Sequence, residues 1–413
     1  MNLRRTLVLL TVSAAAFTMS STAQADPAES DNGPRRVIDI DLPGAAGMSA
    51  AAGGSLFTTV SPTRVLDTRS GAAVPGGGAI TVDLSARVPE GTTAVVLNLT
   101  GVAPTNATYV TAWPAEESRP GVSNVNLVAN ETRANAVTVA LGPSRRLNLY
   151  NAVGRIHLLA DLSGYYASQG EGLYNARAPQ RVLDTRNGGG PIPAGGSINV
   201  DTSRFLPSTG AKAITINLTV VSPTATTFVT AYRNGVTRPA VSSINAARGA
   251  VIANQVTVAL GTDKDIRLYN SAGNAHVIVD LVGDYDTTVG DSFYPVSPRR
   301  IVDTRTNGFG PLPGGYYDAF GLTSDPTSPD AQISAMVLNV TGTGGTTATY
   351  LTLYPSSSAV PGASTINLSA RESAANLATT ALGWDADGYY GFNVYNAAGS
   401  IHYVLDYAGF FAP

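Results

Sequence analysis

The stretch Leu147–Tyr166, L-N-L-Y-N-A-V-G-R-I-H-L-L-A-D-L-S-G-Y-Y, returns at Ile266–Tyr285 and again at Phe392–Phe411. Each copy is preceded by P-x-R-[VI]-[LV]-D-T-R, at Pro62–Arg69, Pro179–Arg186 and Pro298–Arg305, and the aspartates of that motif are 117 and 119 residues apart. So regular a spacing implies duplication of a complete folding unit. The units run 56–168, 171–287 and 291–413.

Within each unit a Gly/Pro-rich loop follows D-T-R, where Pro fixes φ and Gly supplies the positive φ of tight reversals. Short runs rich in Val, Ile, Thr and Tyr come next: Ala94–Leu99, Thr108–Trp113, Val122–Leu127, Ala136–Leu141, Leu147–Tyr150 and Ile156–Leu162. Runs of four to eight such residues between turn signals read as strands, and no stretch sustains a 3.6-residue period. One helical turn is expected near Leu84–Pro89 or within Gly321–Gln332. The fold class is therefore all-β, three tandem homologous β-sandwich or barrel-like domains. A propeller blade is excluded because it repeats every ~40–50 residues.

The N-terminus has the pattern of an export signal over 1–25: Arg4-Arg5, an apolar run from Leu7 to Phe17, and Ala23-Gln24-Ala25 as the cleavage site. The short region before the apolar run favours the general secretory route over the twin-arginine one. Residues 26–55 read as a flexible leader, rich in Gly, Ala, Pro, Asp and Ser, with one short alternation at Val37-Ile38-Asp39-Ile40; Arg35-Arg36 marks an alternative propeptide cut. Removing the signal takes the net charge from −3 to −5, so no polybasic footprint for nucleic acid or anionic membrane exists. No later segment approaches the ~20 uninterrupted apolar residues of a transmembrane helix. With no cysteine, disulfides, thiolate catalysis and zinc–thiolate sites are ruled out. The expected location is secreted, extracellular or cell-wall associated.

The only histidines, His157, His276 and His402, each precede an aspartate by four residues: Asp161, Asp280 and Asp406. On a strand rising about 3.3 Å per residue such a pair sits roughly 13 Å apart, beyond hydrogen-bond reach, so a catalytic dyad is disfavoured. No nucleophile elbow, zinc set or calcium loop accompanies them, and no metal or cofactor is expected. The histidines and repeated charges read instead as a structural network. The strand at His157–Leu162 carries apolar groups on both faces, and a buried carboxylate there must be paired. Arg64 and Arg69, with Arg181, Arg186, Arg300 and Arg305, are the partners available to Asp161, Asp280 and Asp406 or to Asp67, Asp184 and Asp303. The triplets at Asn98, Asn217 and Asn339 match N-x-T, but each lies in an apolar strand where the amide suits a neighbouring loop better than a glycan.

Aromatic residues give the functional lead. In T-Y-V-T-A-W, T-F-V-T-A-Y and T-Y-L-T-L-Y, alternation puts Tyr109 with Trp113, Phe228 with Tyr232 and Tyr350 with Tyr354 on one strand face. A ring beside hydrogen-bonding side chains suits a sugar, through contact with the ring face and polar groups for the hydroxyls. The expected contact residues are Trp113, Tyr232 and Tyr354, with Arg119 and Arg238 on the following loop; Val360 stands at that place in unit three. The competing reading makes these rings core or edge filler.

R-V-L-D-T-R, L-N-L-T with P-T-x-x-T-[YF]-[VL]-T, V-T-V-A-L-G, L-Y-N-x-x-G and H-x-x-x-D-L-x-G-Y-Y together resemble tandem repeat modules of exported actinobacterial proteins, found alone or appended to hydrolase domains. The resemblance covers Leu56 to Pro413 and implies an accessory surface or adhesion role, with no catalytic or binding residues to carry over. Unit three departs most, reading Ala378-Thr379-Thr380-Ala381 for Val-Thr-Val-Ala. Together these features point to a non-catalytic multivalent protein binding glycan or cell-envelope polymer. The alternatives are a structural or protein–protein scaffold of the cell surface and, third, accessory domains of a secreted hydrolase system. Oligomeric state is not legible.

Overall fold

In every repeat the strands form two sheets with apolar side chains between them. The computed structural model describes residues 35–40 and 53–413. The expected export signal and the rest of the expected leader up to residue 52 lie outside these residues. In the first repeat one sheet orders its strands Leu56–Asp67, Arg155–Ala167, Thr92–Val102 and Thr132–Ala140; the other orders Ala79–Asp83, Arg146–Asn151, Thr108–Pro114 and Val125–Leu127. The second and third repeats reproduce both sheets, and the pairings within all three are antiparallel. We call the first the axial and the second the peripheral sheet. Leu97, Leu99 and Leu158 from the axial sheet meet Val110, Val125 and Leu149 from the peripheral one in a shared core.

No α-helix occurs among the described residues, and none of their segments is a helix long and apolar enough to cross a membrane. Of the two places where a helical turn is expected, Pro329–Gln332 forms a 3₁₀ turn, with the Ser328 side chain capping the Asp330 N–H, and Leu84–Val88 makes a single turn in which the Leu84 carbonyl accepts the Val88 N–H at 3.0 Å. The fold is all-β.

The three repeats are joined around a pseudo-threefold axis. A fourth apolar cluster, containing Phe57, Tyr166, Tyr174, Tyr285, Phe293 and Phe411, belongs to all of them. Phe57 of the first repeat stacks on Tyr285 of the second at 4.1 Å, Tyr174 of the second on Phe411 of the third at 4.2 Å, and Phe293 of the third on Tyr166 of the first at 4.2 Å. Backbone bridges follow the same cycle: Phe57 with Gly172, Tyr174 with Asp291, Ser55 with Phe293. This plug explains the glycine of D-L-x-G-Y-Y. A β-carbon at Gly164 would lie 2.2 Å from the Phe57 ring and one at Gly283 would lie 2.2 Å from the Tyr174 hydroxyl, so only glycine lets the ring rest on the strand.

Above the plug runs a belt of asparagines. Asn254 donates to Asn98 Oδ1 (2.9 Å), Asn376 to Asn217 Oδ1 (3.0 Å) and Asn135 to Asn339 Oδ1 (2.9 Å), each time from one repeat to another. Asn98, Asn217 and Asn339 in turn donate to the Ser242, Ser364 and Ser123 carbonyls across the same joints. These buried amides are the N-x-T asparagines, so their environment is protein and not glycan.

The flexible-leader expectation needs one correction. Arg35–Asp39 is a strand pairing in parallel with Tyr317–Thr323, at the edge of the third peripheral sheet. Its alternation buries Ile38 and Ile40 in the third core. Arg36 forks onto Asp318 through Nε (2.6 Å) and Nη2 (2.7 Å), and the Tyr403 hydroxyl donates to the same fully buried carboxylate. A buried charge so paired fixes the strand's register. The corresponding positions of the first repeat are Ile80 and Leu158, which offer an added strand no such anchor.

Candidate functional site

The repeated charges form one network per repeat. Arg64 holds Asp161 through Nε and through Nη2 (3.3 Å) while its Nη1 reaches Asp67 (2.9 Å), and Arg69 closes on Asp67 through Nε (2.9 Å) and Nη2 (2.6 Å). Arg181 with Asp280 and Asp184, and Arg300 with Asp406 and Asp303, repeat the geometry, Arg186 and Arg305 taking the place of Arg69. Burial pushes the Asp161, Asp280 and Asp406 carboxyls up, against the pull of their arginines. The side-chain hydrogen bonds from Arg69, Arg186 and Arg305 hold Asp67, Asp184 and Asp303 down.

The histidines stand apart from these aspartates in the bonding pattern. His157, His276 and His402 place Nδ1 3.3, 3.1 and 3.1 Å from the hydroxyls of Thr68, Thr185 and Thr304, the threonines of D-T-R. Those hydroxyls accept the Leu158, Val277 and Tyr403 N–H groups, tying the motif to the start of the neighbouring strand. Among the described residues no three His, Cys, Asp or Glu side chains are grouped to hold a metal ion.

The asparagine of L-Y-N was missed as a structural residue. Asn151, Asn270 and Asn396 are fully buried; each accepts from Thr108, Thr227 or Thr349 and donates to a loop carbonyl at Val74, Ile192 or Leu312. Its recurrence beside an equally regular threonine was the available signal.

The rings expected to contact a ligand do not face solvent. Trp113 is 5% exposed, Tyr232 7% and Tyr354 0%. They lie on the outer strand face, as alternation requires, but the following loop folds back over it. Thr111, Thr230 and Thr352 donate to the Val122, Val241 and Ala363 carbonyls, pinning that loop, and the Trp113 indole N–H donates to the Glu117 carbonyl. These three rings are buried beneath that loop.

The exposed rings are those at the other end of the strand. Tyr109 pairs with Tyr150 at 6.3 Å between centroids, Phe228 with Tyr269 at 6.2 Å, and Tyr350 with Tyr395 at 6.4 Å. Tyr109 and Tyr350 are over a third exposed. Arg119 lies 3.8 Å over the Tyr150 ring and Arg238 4.0 Å over that of Tyr269, so both arginines belong to these clusters rather than to Trp113 and Tyr232. Opposite each ring on the adjacent strand stands an amide: Asn126, Asn245 and Asn367. The result, three times over, is a ring pair with an amide beside it, augmented by a guanidinium in the first two repeats.

No protein-family model and no curated protein matches this sequence. Among solved structures the chain is similar to one from the Sulfolobus turreted icosahedral virus, at 11% identity over 87% of this chain and 91% of that one, with a TM-score of 0.20. A second, described by its triple jelly roll fold and turret assembly in an archaeal virus, gives 11% identity, 87% and 90% coverage and 0.18. A third is the N-terminal CBM22-1–CBM22-2 tandem of Paenibacillus barcinonensis Xyn10C, at 10% identity over 58% of this chain and 99% of that one, with 0.18. At such TM-scores none of these likenesses informs the fold or the ligand.

Proposed function

We propose that this is an exported, non-catalytic, multivalent binding protein for a carbohydrate or cell-envelope polymer, in which three homologous β-sandwich units each present one site. The observation that carries the reading is the threefold recurrence of an accessible ring pair beside an amide: Tyr109–Tyr150 with Asn126, Phe228–Tyr269 with Asn245, Tyr350–Tyr395 with Asn367. A half-exposed ring presents a face to the C–H groups of a sugar, and the amide can both donate to and accept from its hydroxyls. Linking three weak sites raises overall affinity by ~10²-fold or more without new contacts. The histidines' engagement with threonine supports a role without catalysis. The export pattern at the N-terminus and the resemblance to exported actinobacterial modules support a secreted or wall-associated location.

The test is retention of the mature chain on insoluble cellulose, chitin, mannan and purified cell wall. Joint replacement of Tyr109, Phe228 and Tyr350 by Ala should abolish retention while leaving the β-sheet spectrum intact. Failure of the wild-type chain to bind any of these polymers, with envelope association in cells, would favour the scaffold reading instead.

A further inference from the structure

Where the first repeat meets the second there is a cleft of about 310 Å³. Arg64, Arg69 and Thr100 of the first repeat line one side, and Phe228, Ser242 and Asn245 of the second line the other. Past Phe228 and Asn245 it reaches a larger depression of about 920 Å³ that all three repeats line. The half-buried Phe228 ring of one repeat is thus also the wall of a groove shared with another.

Three properties of this cleft restrict what it can hold. First, both guanidinium groups on its wall are already ion-paired, Arg64 with Asp161 and Asp67 and Arg69 with Asp67, so a phosphate or carboxylate would have to compete with those aspartates. Secondly, the Phe228 ring has Ser242 and Asn245 beside it and Arg64 and Arg69 opposite, a ring with hydrogen-bonding groups around it, as an amphipathic sugar ring needs. Thirdly, Thr100 is 3% exposed and its hydroxyl has no partner, nor do those of Thr219 and Thr341 at the same place in the other repeats. A buried unsatisfied hydroxyl is destabilising, and its recurrence three times asks for a reason. Thr100 is also one of the residues that line the cleft.

We propose that the cleft between the first and second repeats binds a neutral sugar residue, stacked on Phe228, with its hydroxyls taken up by Asn245, Ser242 and Thr100. This rests on the polymer-binding reading above and narrows it to a neutral polysaccharide and to a joint between repeats. The next joint is a weaker site, because the Arg181 guanidinium already spans it to the Gly362 carbonyl at 2.6 Å, a contact the ligand must displace.

Retention of the full mature chain is measured on cellulose, chitin, mannan and immobilised polygalacturonate, at low and high salt, for wild type, Phe228→Ala, Asn245→Ala and Thr100→Val. The expected result is retention on a neutral polymer that does not change with salt. It should weaken about tenfold in Phe228→Ala and roughly 2–10-fold in Thr100→Val, the range of one ring contact and one neutral hydrogen bond. Thr100→Val keeps the shape of the side chain, and its denaturation midpoint should not fall, which separates lost binding from lost folding. Retention on polygalacturonate alone, or loss of retention at high salt, overturns the neutral ligand. Neutral-polymer retention that survives all three substitutions overturns the cleft and leaves the wider reading standing. No retention of the wild type on any polymer removes both.

Discussion

The side-chain amide of Asn135, in the first repeat, donates to Asn339 Oδ1 in the third at 2.9 Å, while its own Oδ1 accepts the Leu377 N–H at 2.9 Å. One amide thereby satisfies a side chain and a backbone group across a joint, and it donates as well to the Asn124 carbonyl of its own repeat. Replacing Asn135 by Ala leaves these buried groups without their partner, at about 1–3 kcal/mol for each that water cannot reach. Urea denaturation should show the loss, and a midpoint unchanged from wild type would mean the belt does not hold the joint.

The plug offers a complementary case. The hydroxyls of Tyr166 and Tyr285 lie 2.5 Å apart, and the third member of their triangle, Phe411, has none. Tyr166→Phe should destabilise by about 1 kcal/mol because it takes away one of the Tyr285 hydroxyl's partners and leaves it Thr215, whereas Tyr166→Phe with Tyr285→Phe should restore most of that. A double-mutant cycle in guanidinium measures the coupling; strictly additive losses would contradict it.

The aspartate networks predict an unusual acid limb. Asp67, Asp184 and Asp303 are held below their ordinary value, so the stability they contribute is present above that value and is lost as pH falls through the folded-state range. Asp161, Asp280 and Asp406 are raised, so the folded chain takes up their protons more readily than the unfolded chain and acidification from neutrality favours folding at those sites. Stability should hold or rise slightly as pH falls from neutrality toward the ordinary aspartate value and fall only below it, about pH 4. Denaturation midpoints across that range provide the check, and a steady decline beginning at neutrality would count against it.

Arg36 is the clasp between the leader strand and the third repeat. Arg36→Ala leaves Asp318 buried with only the Tyr403 hydroxyl, and breaking such a pair costs about 3–5 kcal/mol. Amide hydrogen exchange should quicken in Tyr317–Thr323 and not in Ala79–Asp83 or Ser197–Asp201, the corresponding strands that have no added partner among the described residues. Equal acceleration in all three would show that the leader acts elsewhere.

The strands and turns were legible because they rest on local signals, period and turn chemistry within a few residues. The Arg–Asp pairing followed from one argument about a two-faced apolar strand. Trp113 shows where such reasoning stops. Alternation assigns a side chain to a face but does not say what covers the face, and the cover here is a loop held by the Thr111 hydroxyl on the Val122 carbonyl. The leader failed for a related reason. Its Val37–Ile40 alternation was visible, yet the partner of Arg36 lies 282 residues away and no local pattern points to it. The cleft was out of reach because it belongs to two repeats at once, and nothing in either repeat alone places Phe228 opposite Arg64 and Arg69.

The cyclic order of the joints has a consequence for assembly. Every repeat meets one neighbour with its leading-strand ring and the other with its D-L-x-G-Y-Y ring, so the contact is head-to-tail and closes after three. A single repeat cut from the chain would carry both halves of that contact uncovered. Carrying all three on one chain makes the closed ring independent of concentration and releases each copy from having to match the others. The asymmetries use that freedom: a strand clasped, among the described residues, to the third copy alone, Val360 where two copies keep arginine, and Arg133 bridging Glu131 and Glu372 from the first copy.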